Sequence, residues 1–252
     1  MIDFIYVKFL TSIPNLLKRN SKLFIMANQE NNKVNPSGTE PDHKLIEYQD
    51  FFIASKNKRV TVKSFGEKSA LLNSYFLEYL KVYNIPSAFV KKGDKKSLLL
   101  LKVADFPFRV KILNSADSRT AKIFSIKPGS SLELPIQEYN YGDSKDSVIS
   151  DSHLISFNLC TYDDLKFISR LCSKINAIVK SFFERRNVSL VELTCRFGKF
   201  DGKIYLTGDF SPVSIKVVSN KPDEILPDPY KIETLAQMKK YTDNLLKLTN
   251  GD

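Results

Sequence analysis

The chain has 252 residues, of which 42% are hydrophobic and 12% are aromatic, which is enough apolar material for one large or two small folded domains. The formal net charge is +10, but the lysines are spread along most of the chain, as is typical of solvated faces. Arginine and aromatic residues do not alternate as they do in proteins that bind single-stranded nucleic acid, so we expect no nucleic-acid partner.

Residues 1–26 are apolar but are interrupted by charges and by Pro14, so no run approaches the ~20 apolar residues of a membrane span. A secretory signal peptide also fits poorly, because the first charged residue is acidic. Two interpretations stay open, namely an amphipathic helix that binds a membrane surface and a translation start at Met26. Residues 27–44 are polar, which predicts a disordered linker. We therefore assign residues 1–44 to an extension and linker, and expect no transmembrane segment.

From Leu45 onward the pattern becomes globular. Period-two alternation of apolar residues predicts strands, whereas apolar residues at helical spacing, such as Leu72, Phe76 and Leu80, predict a helix. In chain order the predicted elements are strands at 45–54 and 59–64, a helix at 67–83, strands at 85–90 and 97–103, and a strand at 109–113. Residues 114–160 lack a clear period and are predicted to be irregular.

Two further helices are predicted in the second half of the chain. The first covers 162–187 and has an apolar stripe at helical spacing. Thr161 precedes it, with Asp164 three residues later, which is a variant of the capping box that marks a helix start. The second is an amphipathic helix at 230–248.

Residues 191–212 predict a β-hairpin. Odd-numbered positions from Val191 to Phe197 are apolar and the positions between them are polar, which predicts a strand with one face on a core and one face open. Asp201-Gly202 is a strong signal for a tight turn, and Lys203–Thr207 alternates as a return strand. The polar residues of the first strand that point away from the core are Glu192, Thr194 and Arg196.

The three cysteines, Cys160, Cys172 and Cys195, show no C-x-x-C spacing and form an odd set. This pattern argues against metal ligation and against a disulfide framework, and it fits a reducing cytoplasm. The two histidines, His43 and His153, are too few and too far apart for a His-rich metal site. The chain also lacks a P-loop and the motifs of serine hydrolases and zinc proteases.

Several segments follow the motifs of one enzyme family. Glu192–Gly198 looks like the motif D-x-K-x-E-F-G, and Thr207–Pro212 looks like G-D-E-x-S-P. Upstream, Tyr75–Ser87 looks like a helix followed by G-I-P, and Leu99–Pro107 looks like L-V-K-K-x-x-x-x-P. From about Ile46 to Val218 the chain therefore resembles phosphoribosylaminoimidazole-succinocarboxamide synthase, or SAICAR synthetase.

That family joins aspartate to carboxyaminoimidazole ribotide with ATP in purine biosynthesis, and it is often dimeric. The resemblance implies an α+β fold, with a small, mostly antiparallel N-terminal β lobe and a larger α+β lobe that has an antiparallel sheet and a long helix. These lobes correspond to residues 45–103 and 104–252. The implied cofactor is Mg-ATP if the protein is active, and none otherwise. The implied assembly is a homodimer or a pairing with an active relative.

The hairpin departs from the family motif at the positions that carry chemistry. The family's acid is Glu192, but its lysine is Thr194 and its Mg²⁺-binding glutamate is Arg196. The family's metal-facing aspartate falls on Gly208, although a one-residue shift would let Asp209 serve. Because Mg²⁺ prefers carboxylate oxygens, an arginine at a metal-facing position predicts weak or lost catalysis.

The upstream part of the implied site changes as well. The family's R-N-R-A-A-G-S stretch falls on Leu113–Arg119, which has lost both family arginines, and a glutamate of the preceding strand is Arg109. The resemblance makes Glu192 and Asp209 the candidate catalytic residues, and Asp209 the candidate metal ligand. The candidate residues for binding a ligand or its phosphate are Lys102, Arg109, Asn114, Arg119, Asp146, Ser152 and Arg196.

Two interpretations of the charged residues stay open. Arg196 could join other cations, among them Arg109 and Lys111, to hold an anion without a metal. Alternatively, Arg196 pairs with Glu192 or Asp209 and neutralises the cleft. We expect a divergent family member that binds a nucleotide or phosphoribosyl ligand; the alternative is a non-catalytic interaction or regulatory module. A basic nucleic-acid or membrane-surface protein is a third hypothesis, which rests on the net charge and on a lysine-rich loop.

Overall fold

The structure is a computed structural model that describes residues 42–54, 58–142, 147–221 and 226–250. Its mixture of helices and antiparallel strands confirms the predicted α+β class. The strands are β1 His43–Glu47, β2 Phe51–Ile53, β3 Arg59–Thr61, β4 Phe89–Lys92, β5 Ser97–Leu101, β6 Ala104–Ser115, β7 Ser131–Tyr141, β8 Val148–Ile149, β9 Val188–Phe200, β10 Lys203–Gly208 and β11 Ile215–Ser219. The helices are α1 Phe65–Val82, α2 Ser118–Phe124, α3 Asp151–Ser156, α4 Tyr162–Glu184 and α5 Leu235–Thr249. The predicted extension, most of the predicted linker and the candidate Asp146 lie outside the described residues.

The helices predicted from periodicity are confirmed as α1, α4 and α5, although α5 begins only at Leu235, where Thr234 caps it. The prediction that residues 114–160 are irregular is wrong, because they contain α2, β7, β8 and α3. The first half of β7 is largely exposed on both faces, so it lacks the alternation by which a half-buried strand is recognised. Among the helices of the described ranges, none is long and apolar enough to cross a membrane.

A six-stranded sheet carries most of the core. Its strand order is β10-β9-β6-β7-β8, and β11 also pairs with β9. One face packs against α4, since Val110 of β6 and Leu193 of β9 belong to the same core cluster as Ile168 and Ile175 of the helix. Because successive side chains of a strand point to opposite faces, the residues between these apolar positions lie on the other side of the sheet.

The start of α4 is fixed by the capping box that the sequence predicts. Thr161 Oγ1 accepts a hydrogen bond from the Asp164 backbone N–H (3.1 Å), and the Asp164 carboxylate accepts one from the Thr161 N–H (3.3 Å). The same carboxylate lies 2.8 Å from the ammonium of Lys199 in β9. The helix is thus tied at its first turn to the sheet that it covers.

The N-terminal elements form a second, three-stranded antiparallel sheet in the order β1-β5-β4, together with the β2–β3 hairpin and α1. Phe76 of α1 packs against Phe182 of α4 and against Phe210, with ring centroids 5.2 and 5.5 Å apart. One core cluster therefore includes residues from both sides of the lobe boundary expected after residue 103. That boundary stays a prediction.

The β9–β10 hairpin has the predicted turn, because both Asp201 (φ 48°) and Gly202 (φ 72°) adopt positive φ. Leu193 and Phe197 are buried in the core as expected. Val191 was predicted to belong to the same row but lies outside the main core cluster. The pairing of β9 with β11 shifts by one residue at this point, which makes Val191 the extra residue of a β-bulge.

Gly198 allows β9 to approach the start of β6 closely. A Cβ atom at this position would lie 2.3 Å from Val103 Cγ2 and 3.1 Å from the carbonyl oxygen of Ala104. Real Cβ atoms do not approach so closely, so only glycine fits without a shift of the neighbouring chain. Gly198, the glycine that follows Phe197 in the family motif, is thus required for packing.

We expect Gly198→Ala to lower the free energy of unfolding by ~1–3 kcal/mol, because it overpacks the site. Val103→Ala removes the nearest methyl group, so the double variant should lose less stability than the two single variants added together. Urea unfolding of all four proteins measures this coupling. Strict additivity would show that the contact between Gly198 and Val103 is not close.

Candidate functional site

The face of the six-stranded sheet that points away from α4 carries polar side chains in rows across the strands; we call it the open face. In the first row Arg109 of β6 pairs with Asn140 of β7 on one side and with Arg196 of β9 on the other. Gly208 of β10 continues this row beside Arg196. Directly opposed residues have Cβ atoms roughly 5 Å apart. Two guanidinium groups therefore start from neighbouring positions, and each also makes an interaction within the protein.

The second row is an ion-pair network centred on Glu138 of β7. Its carboxylate is buried, lies 2.8 Å from the ammonium of Lys111 and also pairs with Arg119. Lys111 lies 3.1 Å from Asp117, which caps α2. Burial alone would lower the pKa of Lys111, but the surrounding carboxylates outweigh it and raise this pKa. Lys111 is therefore a fixed cation with two carboxylate partners.

The third row joins Glu192 of β9 to Lys216 of β11, which lie opposite each other in register. The buried Glu192 carboxylate is 2.7 Å from the Lys216 ammonium. The ring of Tyr230 lies 4.3 Å from the same ammonium. Burial and the negative charge of Glu192 raise the pKa of the Tyr230 hydroxyl, so this hydroxyl is neutral at physiological pH.

Asp209 organises the turn that follows β10. Its carboxylate accepts hydrogen bonds from the Ser211 backbone N–H (3.2 Å) and from the Ser214 hydroxyl (2.7 Å). From the other side, Asn73 of α1 accepts a hydrogen bond from the Phe210 N–H (2.7 Å). Both oxygens of Asp209 are thus used within the turn.

These carboxylates do not fit a Mg²⁺ ion held by the protein. Mg²⁺ takes hard oxygen ligands, whereas Glu192 has the Lys216 ammonium beside it and Asp209 is occupied by its own turn. In the parts of the chain that the structure describes, no three His, Cys, Asp or Glu side chains come together as a candidate metal site.

The structure brings together part of the site that the sequence predicts. Arg109, Glu192 and Arg196 share the open face, and Arg119 reaches it through Glu138. The proposed pairing of Arg196 with Glu192 or with Asp209 stays a prediction. What the structure shows is that Lys216 pairs with Glu192.

The structure places three other candidates away from these rows. Asn114 lies on the face toward α4, where its amide exchanges two hydrogen bonds with the amide of Asn176 (2.8 and 2.9 Å). Lys102 follows β5 and forms an exposed ion pair with Asp42 (3.3 Å). Ser152 is exposed in α3, which follows the edge strand β8. These three residues therefore lie apart from the rows of the open face.

Sequence reasoning missed four polar groups of the open face and its rim. Two of them, Glu138 and Asn140, lie at alternate positions of β7, so the period-two signal was present beside Ile136 but was obscured by the exposed first half of the strand. Of the other two, Lys216 comes to the site through the pairing of β11 with β9, and Tyr230, which follows β11 in the chain, lies against Lys216. No local sequence pattern predicts such a pairing of distant segments.

The comparisons with known proteins agree with this architecture. The model of the family described as SAICAR synthetase matches residues 36–226. The chain belongs to the SAICAR synthetase family. A phosphoribosylaminoimidazole-succinocarboxamide synthase from Clostridium novyi is 32% identical over 178 residues, which is 69% of this chain and 75% of the relative. One from Clostridium kluyveri is 28% identical over 213 residues, covering 82% of this chain and 90% of the relative.

Solved structures of SAICAR synthetases share the fold. The crystal structure of the enzyme from Ehrlichia chaffeensis superposes with a TM-score of 0.75 at 24% identity, and covers 84% of this chain and 93% of that one. A SAICAR synthetase in complex with ADP gives a TM-score of 0.77 at 22% identity, and covers 90% of this chain and 96% of that one. Fold and family are thus established together.

Because the pKa of Asp117 is lowered, the loss of its charge makes the folded protein less stable at acidic pH. Burial would raise its pKa, but the Thr120 N–H and the Lys111 ammonium outweigh burial and lower it. A group with a lowered folded-state pKa contributes stability above its unfolded pKa of about 4, and this contribution is lost as the pH falls through the folded pKa. Asp117→Asn keeps a capping oxygen but removes the charge.

We expect Asp117→Asn to reduce the free energy of unfolding at pH 7 by roughly 1–2 kcal/mol. It should also reduce the loss of stability between about pH 5 and pH 2. Urea unfolding over a series of pH values measures both effects. Parallel pH profiles for the wild-type protein and the variant would contradict the assigned role of the charge.

Proposed function

We propose that this SAICAR synthetase family member binds the phosphate of a nucleotide or phosphoribosyl ligand on its open face, and that it has weak or no ligase activity. The observation that carries the proposal is the cross-strand pair of Arg109 and Arg196. Like charges directly opposite each other destabilise a sheet. A phosphate between two such groups converts this repulsion into attraction, because planar guanidinium groups bind phosphate oxygens in pairs.

Lys111 and Lys216, the lysines of the second and third rows, have carboxylate partners, and Arg109 and Arg196 also make interactions within the protein. Lys111 pairs with Glu138 and Asp117, and Lys216 pairs with Glu192. These groups shape and neutralise the surroundings of the arginine pair. We expect the ligand phosphate at the first row of the open face, where two guanidinium-bearing residues lie opposite each other.

The same residues argue against the family's ligation chemistry. The resemblance implies a lysine and a Mg²⁺-binding glutamate on β9 where this chain has Thr194 and Arg196. The remaining acids, Glu192 and Asp209, are held by Lys216 and by the turn after β10. Losing one positioned electrostatic group commonly costs ~10²–10³ in rate. Asp209 keeps a candidate role only if its turn opens.

Ligand binding of this kind is consistent with the relatives. One neighbouring fold was solved with ADP, which shows that this architecture accommodates a nucleotide in that protein. The thiols of Cys160, Cys172 and Cys195 are free, which suits the reducing cytoplasm where such ligands occur.

Catalysis is tested with ATP, aspartate and carboxyaminoimidazole ribotide in the presence of Mg²⁺. We expect no product above background, and no rescue of a purine auxotroph, because the metal-binding and phosphate-stabilising groups are replaced. The relative from Clostridium novyi, purified and assayed in parallel, is the positive control. Mg²⁺-dependent product formation at a rate near that of the control would contradict the proposal.

Ligand binding is tested by calorimetry with AMP, which carries a phosphoribosyl group, in buffer without divalent metal. We expect Arg109→Gln and Arg196→Gln each to weaken AMP binding roughly tenfold or more, since each removes a charge-assisted contact. Arg170→Gln on the exposed face of α4 removes the same charge away from the sheet and should bind as the wild-type protein does. Equal binding by all four proteins would exclude the arginine pair as the phosphate site. Absence of AMP binding by the wild-type protein would favour the alternative, a non-catalytic interaction module.

A further inference from the structure

Arg119 and Lys111 share one carboxylate, that of Glu138, and they hold it unequally. The Glu138 side chain is 7% exposed, and Lys111 is 19% exposed and lies 2.8 Å from it. The Arg119 side chain is 47% exposed. Lys111 has a second carboxylate, Asp117, at 3.1 Å. Glu138 would thus stay neutralised by a well-buried cation if Arg119 were to leave.

We propose that Arg119 exchanges Glu138 for the phosphate of the bound ligand, so that Glu138 acts as an internal competitor of the ligand. This inference rests on the proposed function, because the phosphate is the one expected beside Arg109 and Arg196. Arg119 thereby becomes the third guanidinium group that binds the phosphate. Its pairing with Glu138 in the free protein lowers the affinity for the ligand. In the free protein Arg119 is held by Glu138, and in the complex it binds the ligand.

The exchange replaces one anionic partner of Arg119 by another. Arg119 is half-exposed, so water competes for its side of the ion pair, whereas the Glu138 carboxylate is buried. A phosphate offers a guanidinium two parallel hydrogen bonds and more negative charge than one carboxylate. Releasing Glu138 has a cost, because its buried carboxylate keeps only the Lys111 contact, and this cost lowers the affinity for the ligand.

The distances along the sheet allow the exchange. Glu138 and Asn140 are two residues apart on the same face of β7, and Asn140 lies directly opposite Arg109. Glu138 and Arg109 are therefore diagonal neighbours on adjacent strands. Such neighbours are roughly 7–8 Å apart, within reach of long side chains. A guanidinium that contacts Glu138 therefore lies one row from the arginine pair, and the exchange requires a side-chain movement of about one row.

The test compares AMP binding by five proteins, namely wild type, Glu138→Gln, Arg119→Gln, the double variant and Arg119→Lys, at one ionic strength without divalent metal. Glu138→Gln removes the competitor and should tighten binding roughly five- to tenfold, whereas Arg119→Gln should weaken it by a similar factor. In the double variant the gain from Glu138→Gln should vanish. Arg119→Lys, which keeps the charge but not the paired hydrogen bonds, should fall between wild type and Arg119→Gln.

Each outcome decides the proposal. A gain from Glu138→Gln that persists without Arg119, or Arg119 variants that all bind as the wild type does, would overturn it. The Arg119 variants change an exposed side chain, so they remain a test even if Glu138→Gln fails to fold, and thermal unfolding monitors this. If AMP binds to Glu138→Gln but not to the wild type, the competition between Glu138 and the ligand is supported. The proposal that the wild-type protein binds a nucleotide is then overturned. If AMP binds to neither protein, both are overturned.

Discussion

β6 and β9 pair in antiparallel register, with Val110 opposite Cys195 and Ile112 opposite Leu193, and all four side chains are buried in the core that α4 covers. Burial of these apolar pairs fixes the register, because a shift by one residue would turn every one of them toward the other face. The same register places Arg109 against Arg196 on the opposite face. Apolar packing in the core thus fixes which residues lie opposite each other on the open face.

The open face pairs cations and carboxylates across neighbouring strands. Glu138 and Lys111 link β7 to β6, and Glu192 and Lys216 link β9 to β11. Buried charges persist only where partners compensate their lost hydration, so these pairs are the condition for placing charge on this face at all. On the same face Arg109 and Arg196 lie opposite each other, and each makes an interaction within the protein; the proposed phosphate would bind to both.

The sequence predicted those elements whose period is strong, namely the hairpin, the long helix with its Thr161 capping box, and the face of β9 that carries Glu192 and Arg196. It could not predict contacts made by pairing distant segments, as when β11 brings Lys216 to Glu192. It also could not predict the bulge at Val191, which is buried but lies outside the main core cluster, because a bulge adds one residue to a strand without changing its composition. The exposed start of β7 hid a strand, and with it the Glu138 network, because an element that is wet on both faces has no apolar period.

The central claim is that a phosphate binds between Arg109 and Arg196 without a metal. A crystal structure of the protein with AMP, grown in metal-free buffer, tests it most directly. The claim predicts density for the phosphate within hydrogen-bonding distance of both guanidinium groups. AMP bound elsewhere on the protein, or the arginine pair without a phosphate at saturating AMP, would contradict it.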